Sequence, residues 1–255
     1  NGRIGAMVFG DPVHEQFQLN EETVWGGSPY NNTNPKAKDA LPRIRQLIFE
    51  GKNKEAQELC GPTICSPSAN GMPYQTVGSL HLDFDGINNY NDYYRDLDIA
   101  KAKATTRFTA NGVTYTREAY TSFPDQVLVI RLTASQKKSI SFTAKYTTPY
   151  KSNVVRSISS RKELQLSGKA NDHEGIEGKV EFTALTRIEN NGGSLEATSD
   201  STLQVKNANS VTLYVSIGTN FVNYKDVSGN ALNTAQKYLK QVNKNYAKSK
   251  AAHIN

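Results

Sequence analysis

Glu21 and Glu22 stand side by side four and three residues ahead of Trp25, the only tryptophan in the chain. Paired carboxylates are the raw material of general acid and base catalysis. Neighbouring residues on a strand point to opposite faces, however, so these two cannot both serve one site. One of them is therefore expected to face outward together with Trp25, which sits after a strand in a Gly26-Gly27 loop. An indole there can stack on a sugar, plug a contact between domains or anchor the core. These three residues are the candidates for a substrate pocket or an interdomain face.

Other chemistry is thinner. Asp172-His173-Glu174, flanked by Gly168 and Gly175, has no second ligand cluster and reads as a solvated turn rather than a metal site. His81 alternates with Leu80 and Leu82 and so lies on the other face of its strand, while His14 and His253 fall in a turn and a tail without visible partners. Cys60 and Cys65, the two cysteines, make a poor zinc site and read either as a local disulfide or as two free thiols. No serine stands in a Gly-x-Ser-x-Gly elbow, and four histidines are too few to suggest a triad. Gly2 and Gly5 make no phosphate-binding loop. Nothing in the sequence points to a catalytic residue, a cofactor or a metal. Asn31-Asn32-Thr33 is formally a glycosylation acceptor, a triplet common enough to arise by chance.

The elements that must position the candidates follow from periodicity. Ile4 to Phe9 and Phe17 to Leu19 read as strands around a Gly10-Asp11-Pro12 turn. Leu41, Ile44, Leu47 and Ile48 recur at helical spacing, with Pro42 in a first turn and Gly51 as a stop. A second helix is expected over Lys54 to Leu59, and Gly61 to Gln75, with three prolines, reads as a loop. From about residue 77 the period changes to two. Leu80, Leu82 and Phe84 alternate, and Asn111-Gly112 between alternating runs predicts a hairpin. Val127 to Leu132 is apolar on both faces and is expected to be a covered central strand. Further short strands follow to about residue 220 without a linker, which predicts stacked antiparallel sheets in one sandwich. Leu232, Ala235, Leu239, Val242 and Tyr246 then form the apolar stripe of a single C-terminal helix.

The chain has 255 residues, 37% hydrophobic and 21% charged, with a net charge of +6. That length supports a full hydrophobic core. No apolar run reaches the ~20 residues of a membrane-spanning helix. The basic residues are scattered and no aromatic stacking motif accompanies them, so nucleic acid is not an expected partner.

Several segments, in order, resemble glycoside hydrolase family 95. Asn1 to Gly10 resembles its GNGRLGAMVFG opening, and Gln18-Leu19-Asn20-Glu21-Glu22-Thr23-Val24-Trp25-Gly26-Gly27 resembles QLNEETLWSG, with Val24 in place of leucine. Tyr74 to Leu80 is similar to YQPLGDL and Tyr94 to Ile99 to YRRELDL. Arg117 to Val127 is similar to RE-x-F-x-S-x-PDQV, with Tyr120 for phenylalanine, and Thr219-Asn220-Phe221 matches a Thr-Asn-Phe element closing the sandwich.

The resemblance implies a mainly β, antiparallel super-sandwich with short N-terminal helices and a C-terminal linker helix. Residues 1–229 would form the sandwich, with a helical insertion about 36–60, and residues 230–255 would begin a linker toward an (α/α)6 barrel outside this sequence. In that family the barrel carries an inverting α-L-fucosidase, whose acid and water-activating groups need carboxyls roughly 6.5–9.5 Å apart. Those motifs lie outside this sequence. The chain is thus expected to be a non-catalytic domain, inactive alone, whose partners are the barrel of its own protein and a fucosylated oligosaccharide. A secreted, periplasmic or cell-surface location is implied, and α-L-galactosides are possible substrates. Two alternatives stand beside it. One is a freestanding carbohydrate-binding module using Tyr90, Tyr93 and Tyr94. The other is the N-terminal domain of a related sandwich-plus-barrel enzyme such as a family 65 phosphorylase.

Overall fold

The computed structural model describes residues 1–66, 71–150, 155–160 and 163–254. The expected loop from Gly61 therefore lies partly outside the described residues. Among the described residues, fourteen strands form two antiparallel sheets. The six-stranded sheet contains β1 (Ile4–Val8), β2 (His14–Glu21), β3 (Gly78–Phe84), β8 (Ile140–Thr147), β13 (Thr202–Ala208) and β12 (Ser194–Ala197), in that order. The eight-stranded sheet runs β4 (Asn91–Asp98), β5 (Lys103–Ala110), β6 (Val113–Ser122), β7 (Val127–Ala134), β14 (Ser210–Thr219), β11 (Glu181–Asn191), β10 (Glu163–Lys169) and β9 (Val155–Ser160).

Period-two alternation explains the core. Phe17, Leu19, Leu80, Leu82, Phe142 and Ala144 from one sheet meet Phe108, Ile130, Leu132, Phe182 and Leu213 from the other, all nearly inaccessible to solvent. The Asn111-Gly112 hairpin has positive φ at both residues and joins β5 to β6, as a type I′ turn requires. Strand β7 is buried on both sides over residues 127–130, as its apolar run ahead of Arg131 predicts. Leu128, Ile130 and Leu132 enter the main core, and Val127 and Val129 face a second cluster on the outside of the sheet.

That second cluster is built by helix α3 (Ala231–Gln241), whose Ala235 and Leu239 pack on Tyr214 and Leu185. Asn230 caps the helix, its Oδ1 accepting from the Asn233 amide at 2.8 Å. The expected single C-terminal helix is in fact two. Val242 turns extended (φ −58°, ψ 130°), and helix α4 starts at Tyr246. Asparagines cause the break: Asn243 Oδ1 accepts from the Asn245 amide, and Asn245 Oδ1 accepts from Lys248. Such local side-chain bonds favour turns and caps over helix interiors.

Two corrections apply to the helical insertion, α1 (Ala37–Phe49) and α2 (Asn53–Ile64). Helix α1 begins early enough that Pro42 lies inside it rather than in its first turn. Helix α2 runs past Leu59 through Gly61 and Pro62. The longer helix is tolerated because Asn34 Nδ2 donates to the Pro62 and Cys65 carbonyls, at 3.2 and 2.9 Å, satisfying its C-terminal end. Cys60 and Cys65 are both free thiols.

Helix α4 is latched to the eight-stranded sheet by two carboxylates. Glu118 receives Lys103, Lys250 (2.8 Å) and the Tyr246 hydroxyl (2.6 Å). Asp125 receives the Ser249 hydroxyl at 2.6 Å and the Ser122 hydroxyl at 3.0 Å. Burial alone would push the Glu118 carboxyl up, but the three donors outweigh it and hold it at about 2 against an ordinary 4.5. A carboxyl depressed in the folded state stabilises the fold above its unfolded value, and that stabilisation fades as pH falls through the folded value. Glu118→Gln is therefore expected to lower stability by on the order of 1 kcal/mol at neutral pH, because solvent reaches the cluster. Denaturant melts between pH 7 and 2 should show the gap to wild type closing from about pH 4.5 downward.

Candidate functional site

Strand β2 carries carboxylates at both ends of its inward face, Glu15 and Glu21, both buried. Beyond Glu21 the chain leaves the sheet and is stitched down residue by residue. Glu22 donates its amide to the Arg3 carbonyl at 2.9 Å, Val24 is fully buried, and Gln75 donates to the Val24 carbonyl at 3.0 Å. The Gly26 amide reaches the Pro73 carbonyl and the Gly27 amide reaches Asn171, at 2.9 and 2.8 Å. Gly27 has φ +67°, and a Cβ there would sit 2.5 Å from the Met72 sulfur. The left-handed backbone favours glycine here, and any larger residue would also have to displace the Met72 side chain.

This backbone separates the two glutamates, Glu21 ending strand β2 and Glu22 opening the turn that follows. Glu21 turns inward. Its Oε2 accepts from the Thr23 amide and hydroxyl at 2.8 and 2.7 Å, and Arg3 Nη1 lies 3.4 Å from Oε1. Burial pushes the Glu21 carboxyl up, against the pull of Thr23 and Arg3. Its oxygens are already engaged with these fixed donors, so it is a strut, not a free acid. Glu22 turns outward, and among the described residues its carboxylate has no hydrogen-bond or ion-pair partner.

Trp25 is 44% exposed yet fixed. Its Nε1 donates to the Glu22 carbonyl at 2.8 Å, and its ring meets Tyr74 edge-on at 5.3 Å and 72°. Tyr74 is fixed in turn, its hydroxyl donating to the Glu21 carbonyl at 3.1 Å. The Thr23 hydroxyl lies 2.7 Å from that of Thr219, which brings in the Thr-Asn-Phe element. There Asn220 ties Glu181 and Lys179 together, at 2.9 and 3.0 Å, and Phe221 is left exposed beside the Trp25 loop.

Two hollows flank the indole. One, about 280 Å³, is walled by Trp25, Met72, Val180, Phe221, Tyr224 and Val227. The other, about 450 Å³, is bordered by Asn20, Trp25, Tyr74 and the Gly2–Gly5 backbone. Glu22 borders both. Glu22 thus brings a carboxylate to the border of both hollows, while its buried neighbour Glu21 is engaged elsewhere. A third hollow, about 560 Å³, opens between β1 and β4 around Met7, Leu97, Ile99 and Tyr120. Its lining is mainly apolar, with Arg95 and Asp96 at its border.

The remaining sequence candidates divide differently. Asp172-His173-Glu174 is a pinned turn rather than merely a solvated one. His173 and Ile176 exchange backbone bonds at 2.9 and 2.8 Å, and Asp172 Oδ1 accepts from Gly178. Among the described residues no group of three or more His, Cys, Asp or Glu could hold a metal. His14 and His253 do have partners, contrary to expectation. His14 Nδ1 lies 3.1 Å from Asp83, and His253 stacks on Tyr120 at 4.5 Å. Those partners are distant in sequence and so invisible to local reading. His81 lies 2.8 Å from the Thr147 hydroxyl, and burial pushes its pKa down. Tyr90 and Tyr93 are exposed but tilted 52° to each other, and the Tyr93 hydroxyl is tied to the Gly10 carbonyl. Tyr74, which meets Trp25 edge-on, and Phe221 and Tyr224, which line a hollow with it, were not among the sequence candidates. Only the motif positions of Tyr74 and Phe221 hinted at them.

Residues 1–224 match the family model described as "Glycosyl hydrolase family 65, N-terminal domain". The chain is 30% identical over 247 residues to alpha-L-fucosidase 2 of Arabidopsis thaliana, covering 87% of this chain and 28% of that protein. It is 25% identical over 231 residues to a probable alpha-fucosidase A of Aspergillus oryzae, covering 87% of this chain and 31% of that protein. The chain thus spans under a third of the length of these relatives. Among solved structures it is similar to a candidate kojibiose phosphorylase from the human microbiome, at 10% identity and a TM-score of 0.43, covering 98% of this chain and 38% of that one.

Proposed function

The chain belongs to the family of glycosyl hydrolase family 65 N-terminal domains, and from that premise we propose that it is the non-catalytic β-sandwich domain of an inverting α-L-fucosidase acting on fucosylated glycans. The family 95 resemblance of the sequence and the fucosidase relatives meet at an N-terminal domain of a fucosidase-type glycoside hydrolase, although the domain family carries the family 65 name. The observation that carries the reading is the match to fucosidases across 87% of the chain. In this reading the catalytic groups lie in another part of the protein. The face around Trp25, with Glu22 free and Glu21 locked, stands as one wall of the substrate cleft.

The test is fucose release from 2′-fucosyllactose by the full-length protein and by the 255-residue chain. Release is expected from the full-length protein only, with turnover by the 255-residue chain below detection. Turnover by the short chain would overturn the non-catalytic role, and a full-length protein that releases no fucose would overturn the substrate. A secreted, periplasmic or cell-surface location belongs to the same proposal, because glycans of this kind are met outside the cytoplasm. Recovery of the full-length protein only from the cytoplasmic fraction of its own cells would count against it.

A further inference from the structure

The face around Trp25 consists of two compartments that share one wall. We propose that it binds two adjacent pyranose units of an oligosaccharide, one on each side of the indole. The sugar chosen for the test rests on the functional reading above; the two-unit site rests on the geometry.

A pyranose offers an apolar C–H face and a fringe of hydroxyls. The hollow of about 280 Å³ is mainly apolar, with Trp25, Phe221 and Tyr224 in its lining, and suits a C–H face or the methyl of a deoxy-sugar. The hollow of about 450 Å³ is mainly apolar as well, and has the Asn20 amide and the Glu22 carboxylate at its border. Among the described residues neither group is engaged in a side-chain hydrogen bond. A carboxylate accepting from sugar hydroxyls makes charge-assisted bonds, the stronger kind. Trp25 and Glu22 border both compartments, so a glycosidic linkage would cross above them. The rings are also held in advance, Trp25 by the Glu22 carbonyl and Tyr74 by the Glu21 carbonyl. Little rotamer freedom is left to lose on binding.

Trp25 is the sole tryptophan and is partly exposed, so its emission reports on the site directly. The 255-residue chain is titrated with 2′-fucosyllactose and, separately, with L-fucose. A saturable change in emission is expected with 2′-fucosyllactose, with half-saturation at least tenfold lower than for the monosaccharide. Tyr224→Ala and Glu22→Gln are each expected to raise the half-saturation concentration about tenfold with unchanged far-UV circular dichroism. Both positions are solvent-exposed, so the fold should survive either change. An emission spectrum indifferent to 2′-fucosyllactose overturns the proposal, as does equal affinity for L-fucose or unaltered binding in both variants. Fucose release by the full-length protein without any Trp25 response would sink the site alone. A Trp25 response in the short chain without fucose release by the full-length protein would sink the functional reading alone.

Discussion

Arg117→Ala is expected to destabilise the chain by about 3–5 kcal/mol, the usual consequence of removing one partner from a buried ion pair. Arg117 is buried on β6, and its Nη1 lies 3.0 Å from a Glu15 carboxylate that is wholly inaccessible. The same guanidinium donates to the Asp11 and Pro12 carbonyls and lies over the Phe84 ring at 4.1 Å. It therefore joins the two sheets and fixes the β1–β2 turn. Without it Glu15 keeps only the Gly10 and Gln16 amides. Burial already pushes the Glu15 carboxyl up, with Arg117 the main opposing influence. Equilibrium denaturation in urea measures the loss. The double variant Glu15→Leu with Arg117→Met should regain much of it, because an apolar pair leaves no orphaned charge. Arg117→Ala within 1 kcal/mol of wild type would show that the pair contributes little.

Gly218→Ala on β14 is the second change with a large expected effect, about 1–3 kcal/mol from overpacking. A Cβ at Gly218 would lie 2.5 Å from both the Ala231 carbonyl and the Ala235 amide. These are backbone atoms of α3, so no flexible side chain can yield. The helix must lift, uncovering Tyr214, Val127 and Val129 beneath it. A lower thermal midpoint with new binding of a hydrophobic dye is the expected pair of results. An unchanged midpoint without dye binding would show that α3 shifts freely.

Arg117 and Glu118 show how far sequence reaches. They are adjacent in one motif, and strand parity alone sends them to opposite faces of β6. What each meets there is not local. Arg117 finds Glu15 across the sandwich, and Glu118 finds Lys250 and Tyr246 on a helix more than a hundred residues away. The C-terminal stripe was legible as apolar, but its division into two helices depended on asparagine bonds that periodicity does not register.

The candidate site divides the same way. Alternation along β2 places Glu21 on the face of Phe17 and Leu19, and the glycines after Trp25 mark a backbone that must pass close to something. Which glutamate is buried follows from the register of β2 against β1 and β3, which sets Phe17, Leu19 and Glu21 toward the core. The gathering of Tyr74, Phe221 and Tyr224 around one indole is likewise tertiary, made by backbone bonds that tie the Trp25 loop to residues 73–75 and 171–179. Side-chain period and turn chemistry are local properties of the chain, and they are enough to specify the sandwich, its hairpin and the covered strand β7. Which charges pair, where the last helix breaks and which aromatic rings share a face were settled by packing. Those outcomes depend on contacts between segments far apart in the chain, whose meeting no local pattern encodes.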